Sequence, residues 1–435
     1  MMNNQQKERE DVRQFEQMIG QMFDVRASQD QRQTANKQLM KMCSNLSFAS
    51  LALSVFKYSA SKAALANASS ALLQLVSNHW NSFPKDQILT IRTYIYFKCL
   101  LRNKNENDDE RVRAGTTIQH VLNNRRGIPH DGTAGMIRIL CRITKLGWFE
   151  NDTHKKLVLE IQKFLQHTID AAIIGLRILN ELVIEMNTTL PGQTATAARK
   201  TAVSFKDECL FHIFQCSLSM LRQIQENKVN IQNEQQAHDI RKFSLEAAKS
   251  VLMFDFIGTN PDESCGEVGT VQVPLSWRSI LQDPQTLRLL FEFYEKNQEP
   301  HSAKCLELLV YLASVRRSVF SNETERKNFL NRLLEGVRDI LRFSRGLNGP
   351  DNFHQFCRLL GKVKMNYQLS ELVSSDGYMN FIELLSNFTG KSFEMYKYSN
   401  RSTHYLLQLW DRIVSATPYV VVVIFFFFSL KLSSF

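Results

Sequence analysis

Between Asp11 and Pro418 the chain is written as amphipathic helices that arrive in pairs, at a period of roughly 40 residues. The clearest helix opens at Asn322 and carries Leu330, Leu333, Leu334, Val337, Ile340 and Leu341, three and four apart, as one buried stripe. Asn322 is placed to cap it, with Glu325 reaching back. Upstream, residues 304–315 carry Leu308, Leu309 and Leu312 behind a turn marked by Pro300 and Ser302, and they read as the partner helix of the same repeat. A following pair runs from Asp376 through Phe381, Leu384, Leu385 and Phe388, then from Ser402 through Leu406, Leu409, Trp410 and Ile413. No segment shows sustained strand alternation. The expected fold is all-α, a helical-repeat superhelix or α-solenoid of about eight or nine repeats.

The 9 prolines and 17 glycines leave little room for long loops. Stacked repeats also escape the size limit on a single core, because each buries its face only on its neighbours. Residues 1–10 form a polar tail without the apolar stretch of a secretory signal, which points to the cytosol or nucleus and to reduced thiols for the 8 cysteines. None of these lies in a Cys-x-x-Cys pair, and all fall in or beside apolar stretches, where cysteine packs as a small hydrophobe.

A net charge of +10 permits an acidic partner. The excess is dispersed, however, and its densest cluster, Arg316, Arg317, Arg326, Lys327 and Arg332, has Glu323 and Glu325 beside it. That cluster reads as intra-repeat ion pairs, and no nucleic-acid partner is expected. Catalytic patterns are missing too. Gly361-Lys362 and Gly390-Lys391 lack the upstream glycine of a phosphate cradle, and there is no nucleophile elbow or His-Glu-x-x-His. Cys209, His212 and Cys216 share a helix face with Phe205, Ile213 and Met220, but no fourth ligand lies nearby, so they read as core. The chain is expected to bind rather than catalyse, with no cofactor and no metal.

Three stretches break the period: the charged residues 102–113, the glycine-containing residues 123–135, and residues 258–277, where an acidic part precedes an extended Val271–Pro274. The first two read as an irregular insertion and the third as a surface connector.

Residues 143–149 (ITKLGWF), 254–259 (FDFIGT), 270–279 (TVQVPLSWRS), 313–320 (ASVRRSVF), 354–373 (HQFCRLLGKVKMNYQLSELV) and 404–420 (HYLLQLWDRIVSATPYV) closely resemble the exportin-7 family, which includes Ran-binding proteins 16 and 17. The resemblance is collinear from about Phe15 to Val420 and strongest after Arg142. It implies a HEAT-like solenoid of the importin-β superfamily, a karyopherin that binds Ran in its GTP form cooperatively with protein cargo. Such a receptor carries cargo out through the nuclear pore, whose phenylalanine-glycine repeats it binds. A monomer shuttling between nucleus and cytoplasm is expected, with the switch residing in the nucleotide on Ran. The alternative is a helical-repeat scaffold without GTPase control.

On this resemblance, residues 11–150 are the Ran-binding repeats, with the insertion near 102–135, and residues 151–420 are exportin-type repeats. Ran is expected against the second helix of each early pair, near residues 33–43, 61–78 and 134–146. On the middle one, Leu65, Leu72, Leu73 and Val76 read as buried, leaving Lys62, Asn67, Ser70, Gln74 and Asn78 as candidate contacts. Trp148 and Trp277 read as packing anchors at helix ends. Family members run well over twice this length, so the chain reads as an N-terminal part. The apolar tail, residues 421–435, reads as a truncation or gene-model artefact, because Tyr419–Phe428 is far shorter than the roughly 17–25 apolar residues of a membrane span.

Overall fold

The computed structural model describes residues 4–100, 133–255, 269–394 and 396–415. Among these residues it is all-α helical-repeat architecture, with one isolated parallel bridge between Val271 and Val315. The bulk of the insertion (102–132), the acidic part of the connector (256–268) and the apolar tail lie outside the described residues.

Helices pack in two compact units. The first contains α1 (Asn4–Phe23), α2 (Gln29–Cys43), α3 (Phe48–Tyr58), α4 (Lys62–Asn78), α5 (Lys85–Leu100), α6 (Thr133–Leu146), α7 (Leu157–Phe164), α8 (Ile169–Asn187) and α9 (Ala195–Phe205). Helix α1 packs on α3, and α3 on α5, while α2, α4, α6 and α8 stack in sequence beside them. This is the two-layer arrangement of a solenoid, in which each helix covers the apolar stripe of its partner and of the next repeat. Local chemistry sets the starts: Ser28 and Gln31 form a reciprocal capping box on α2, and Ser61, Thr168 and Thr194 accept from the third residue of α4, α8 and α9.

The second unit contains α10 (Phe211–Gln225), most of α11 (Glu234–Leu252), α12 (Pro284–Lys296), α13 (His301–Ala313), α14 (Glu323–Phe343), α15 (Pro350–Asn366), α16 (Tyr378–Glu394) and α17 (Tyr396–Val414). Helices α12, α14 and α16 form one layer, and α13, α15 and α17 the other. Every apolar residue of the expected α14 stripe is buried, and Asn322 Oδ1 accepts the Glu325 amide at 2.8 Å.

Several local expectations are corrected. The polar residues 4–10 are helical, and residues 133–135 belong to α6 rather than to the insertion. The 304–315 segment, helical as α13 as far as Ala313, packs on α12 before it, so the repeat closes one helix earlier than the sequence suggested. Both flanking connections are short, and chain order alone does not say which one lies within a repeat. Ser402 is not a cap: α17 starts at Tyr396, and Ser402 is buried with its Oγ 3.0 Å from His354 Nδ1. Asp376 accepts from Asn331 Nδ2 at 2.9 Å instead of capping α16. The extended Val271–Pro274 is as expected, since Val271 exchanges backbone hydrogen bonds with Ser314 (2.9 Å) and Arg316 (3.0 Å).

Candidate functional site

Helix α4 is the middle of the early second-layer helices and is sealed on one side. Ala64, Ala68, Leu72, Leu75 and Val76 are buried, and Leu65 and Leu73 are half-buried, more open than their sequence pattern implied. On the other side Lys62, Ser70, Gln74 and Asn78 are exposed, with Ala66 completing a row spaced every four residues. Each step of four residues climbs about 6 Å and advances about 40° around the axis, so the row rises about 24 Å while winding part-way round the helix, and Lys62 and Asn78 face different directions. Asn67 departs from it: it is half-buried, and its Nδ2 donates to the Ala63 carbonyl at 2.9 Å.

Small residues bring α4 and α6 together. Gly135 of α6 faces Ser69 of α4, where a Cβ would lie 2.4 Å from the serine Cβ. One turn beyond the middle, Arg142 ties three helices. Its Nη1 donates to Ser77 Oγ of α4, and its Nε donates to Glu185 Oε1 of α8 at 2.5 Å. Lys145 donates to the Glu185 carbonyl at 2.7 Å and to the Thr188 carbonyl, so it caps the C-terminal end of α8 with a cation. Burial pulls the Lys145 ammonium down to about 8, with Glu185 opposing and Arg142 reinforcing the shift. Arg138 approaches Glu181 at 3.6 Å, and burial raises that carboxyl above its ordinary range. The cations of α6 are thus engaged with the neighbouring helix, while the α4 row faces solvent.

Other sequence candidates resolve into packing. Trp148 is buried edge-on against Phe205, with its Nε1 donating to Ser204 Oγ at 2.9 Å, and Trp277 is buried and stacked on Phe214. Trp148 stands next to the boundary expected at residue 150, yet it packs within the first unit. A π-turn at Lys206–Leu210 shifts the register before α10. His212 is exposed, while burial raises the Cys209 and Cys216 thiols to about 12 and 11. Among the described residues no group of three or more His, Cys, Asp or Glu side chains is placed to hold a metal.

Most of the dense basic cluster engages its own surroundings, though only Arg317 pairs with a flanking glutamate and Lys327 is exposed. Arg326 is buried and pairs with Glu371 at 2.6 Å, Arg317 pairs with Glu323, and Arg332 donates to the Gln282 carbonyl at 3.0 Å. No single described helix is long and apolar enough to cross a membrane.

With these faces defined, comparison with known proteins decides what they belong to. Exportin-7-A of Xenopus laevis is 37% identical over 357 residues, covering 81% of this chain and 30% of that protein. The chain is a homologue of the exportin-7 family. Ran-binding protein 16 of Drosophila melanogaster is 36% identical over 370 residues, 81% of this chain and 33% of its own length. Ran-binding protein 17 of Homo sapiens is 39% identical over 289 residues, 66% of this chain and 26% of its own length. This exportin-7 homologue therefore spans between about a quarter and a third of its relatives. No protein-family model matches the chain.

Proposed function

We propose that the chain is part of a nuclear transport receptor, an exportin that binds Ran in its GTP form cooperatively with protein cargo and shuttles between nucleus and cytoplasm through phenylalanine-glycine contacts in the pore. The observation that carries this reading is the match, over four fifths of the chain, to proteins named exportin and Ran-binding protein. The receptor acts as a monomer and needs no chemistry of its own, because Ran supplies the nucleotide switch. Ran is proposed to lie along the second-layer helices of the first unit, with Lys62, Ser70, Gln74 and Asn78 as its contacts on α4 and Asn67 at the edge of that row. Cooperativity then follows if each ligand stabilises the same arrangement of stacked helices, so that the second binds a scaffold already ordered by the first.

The test is binding of Ran loaded with a GTP analogue or with GDP to the intact chain and, separately, to a chain ending at Val420. Preference for the GTP form by about tenfold or more supports the receptor reading. Equal affinity for the two forms would favour a scaffold without GTPase control.

A further inference from the structure

Helices α12 and α14 of the second unit leave a groove of about 560 Å³ between them. Its lining runs from Pro284 to Glu295 on α12 and from Arg332 to Phe343 on α14, which at the rise of an α-helix is about 16 Å, or three turns. The floor is apolar: Leu287 and Ile340 are buried, Phe291 is half-buried, and Phe343 is 54% exposed. Gly336 sets its depth. A Cβ on that residue would lie 2.5 Å from three ring carbons of Phe291. Glycine inside a helix is unfavourable, and here it lets the Phe291 ring lie against the α14 backbone instead of standing up in the groove.

At one end the chain supplies an occupant of its own. The Arg345 guanidinium lies 4.8 Å from the centre of the Phe343 ring and pairs with Glu295 of α12, so an arginine is held there by an aromatic face and a carboxylate. Further along the groove the same two elements recur without a cation. They are the Phe291 ring and the carboxylates of Glu335 and Asp339, one turn apart on the same side of α14. Among the described residues Glu335 has no ion-pair or hydrogen-bond partner. Asp339 is approached by Arg342 at 3.7 Å, with both side chains more than half exposed, and a pair of that kind contributes little. The other arginines of the lining are engaged elsewhere, Arg288 with Glu292 at 2.6 Å on its own helix and Arg332 with the Gln282 carbonyl at 3.0 Å. The α14 wall is therefore left acidic beside an aromatic floor.

We infer that the α12–α14 groove docks a segment of a partner protein that presents an arginine next to an apolar side chain. The guanidinium lies over Phe291 with Glu335 and Asp339 as its carboxylates, repeating what Arg345 does with Phe343 and Glu295. A planar, weakly hydrated guanidinium suits a ring face beside a carboxylate better than a compact ammonium does. Leu287, Ile340 and Phe343 floor the rest of the groove, so the arginine is accompanied by an apolar neighbour. A groove that follows two helices for three turns suits a segment laid along it. This surface is in the second unit and does not depend on the Ran reading, which concerns α4 in the first.

The experiment uses the intact chain and a fluorescently labelled helical peptide with a leucine and an arginine one turn apart, against otherwise identical peptides in which lysine or the uncharged citrulline replaces the arginine. The arginine peptide is expected to bind tightest, with losses of about threefold for lysine and about tenfold for citrulline, and to weaken as salt rises from about 0.05 to 0.3 M. Glu335→Gln/Asp339→Asn is expected to lose about tenfold or more. Gly336→Ala, which turns the Phe291 ring out into the groove, should also lose affinity while its melting temperature stays near the parent's. Glu383→Gln/Asp411→Asn, with both carboxylates exposed on α16 and α17, controls for net charge and is expected to bind normally. Equal binding of the arginine peptide and either of the others, undiminished binding by either groove variant, or an equal loss in the control would overturn the proposal. So would preference for a neutral phenylalanine-glycine peptide over the arginine peptide.

Discussion

Gly135 and Ser69 are packed so closely that a Cβ on residue 135 would meet both the Cβ and the Oγ of Ser69, at 2.4 and 2.6 Å. Ser69 is buried, and its Oγ donates to the Leu65 carbonyl at 2.7 Å. The obstructing Cβ is fixed to the α4 backbone and cannot swing aside, so adding a methyl forces the two helices apart. Gly135→Ala is expected to destabilise the protein by about 1–3 kcal/mol even though alanine is the better helix former. Gly336 provides the contrast, since its added Cβ would meet the ring of half-buried Phe291, which can turn. Gly336→Ala should cost under about 1 kcal/mol. Urea unfolding at constant m-value checks both.

Arg142 and Glu185 join α6 to α8 through two hydrogen bonds, at 2.5 and 3.4 Å, with both side chains largely buried. Removing one partner leaves the other desolvated and uncompensated. Either Arg142→Ala or Glu185→Ala is therefore expected to cost about 3 kcal/mol. The double variant should cost less than the sum, and a double-mutant cycle in urea measures the difference. Strict additivity would mean that the pair is not coupled.

The apolar stripe of α14 and the limits of α4 were legible because helical period and capping are local properties of the chain. Exposure of Lys62, Ser70, Gln74 and Asn78 followed from the same period. Asn67 did not, because it is drawn back to its own helix backbone by a bond to Ala63. What the sequence concealed depends on residues far apart in it. Asn331 binds Asp376, His354 binds Ser402, and Arg142 binds Glu185, each pair more than 40 residues apart. Arg358 and Lys362 are likewise one turn apart on α15, but Arg412 comes near them only when α17 is laid alongside. Counting charges along the chain recorded a dispersed excess, whereas packing gathers part of it.

Two buried histidines should make stability depend on pH. His301 is held down to about 4 by burial and then by His238, Arg241, Lys304 and Lys242; His154 is also near 4, through burial and Arg92. Both are depressed in the folded state, so the unfolded chain binds more protons between about 4 and the ordinary histidine value of 6.5. Their contribution is present above pH 6.5 and is lost as pH falls towards 4. The chain should melt at progressively lower temperature through that window, and His301→Gln should flatten part of the slope. Carboxylates titrate in the same range, so the difference between the two pH profiles is the quantity to read. An unchanged slope in the variant would mean that His301 does not titrate differently on folding.

The α4 row gives the sharpest test of where Ran docks. Ser70, Gln74 and Asn78 are exposed and spaced four apart, so substitutions there change the surface without disturbing the buried Leu72, Leu75 and Val76. In the Ser70→Glu/Gln74→Lys/Asn78→Glu variant, long charged side chains replace short neutral ones along the outer side. Its melting temperature should stay close to the parent's, because exposed positions away from packed features usually contribute within about 0.5 kcal/mol. If Ran in its GTP form lies along α4, its affinity should fall by about tenfold or more, since charged groups forced into a contact without partners are costly. Asn67→Ala isolates the edge of the row and is expected to have a smaller effect, because that amide is already bonded to Ala63. Full Ran affinity in the triple variant would move the contact off α4 and onto another second-layer helix, and the exposed Lys37 and Lys41 of α2 would be the next pair to reverse.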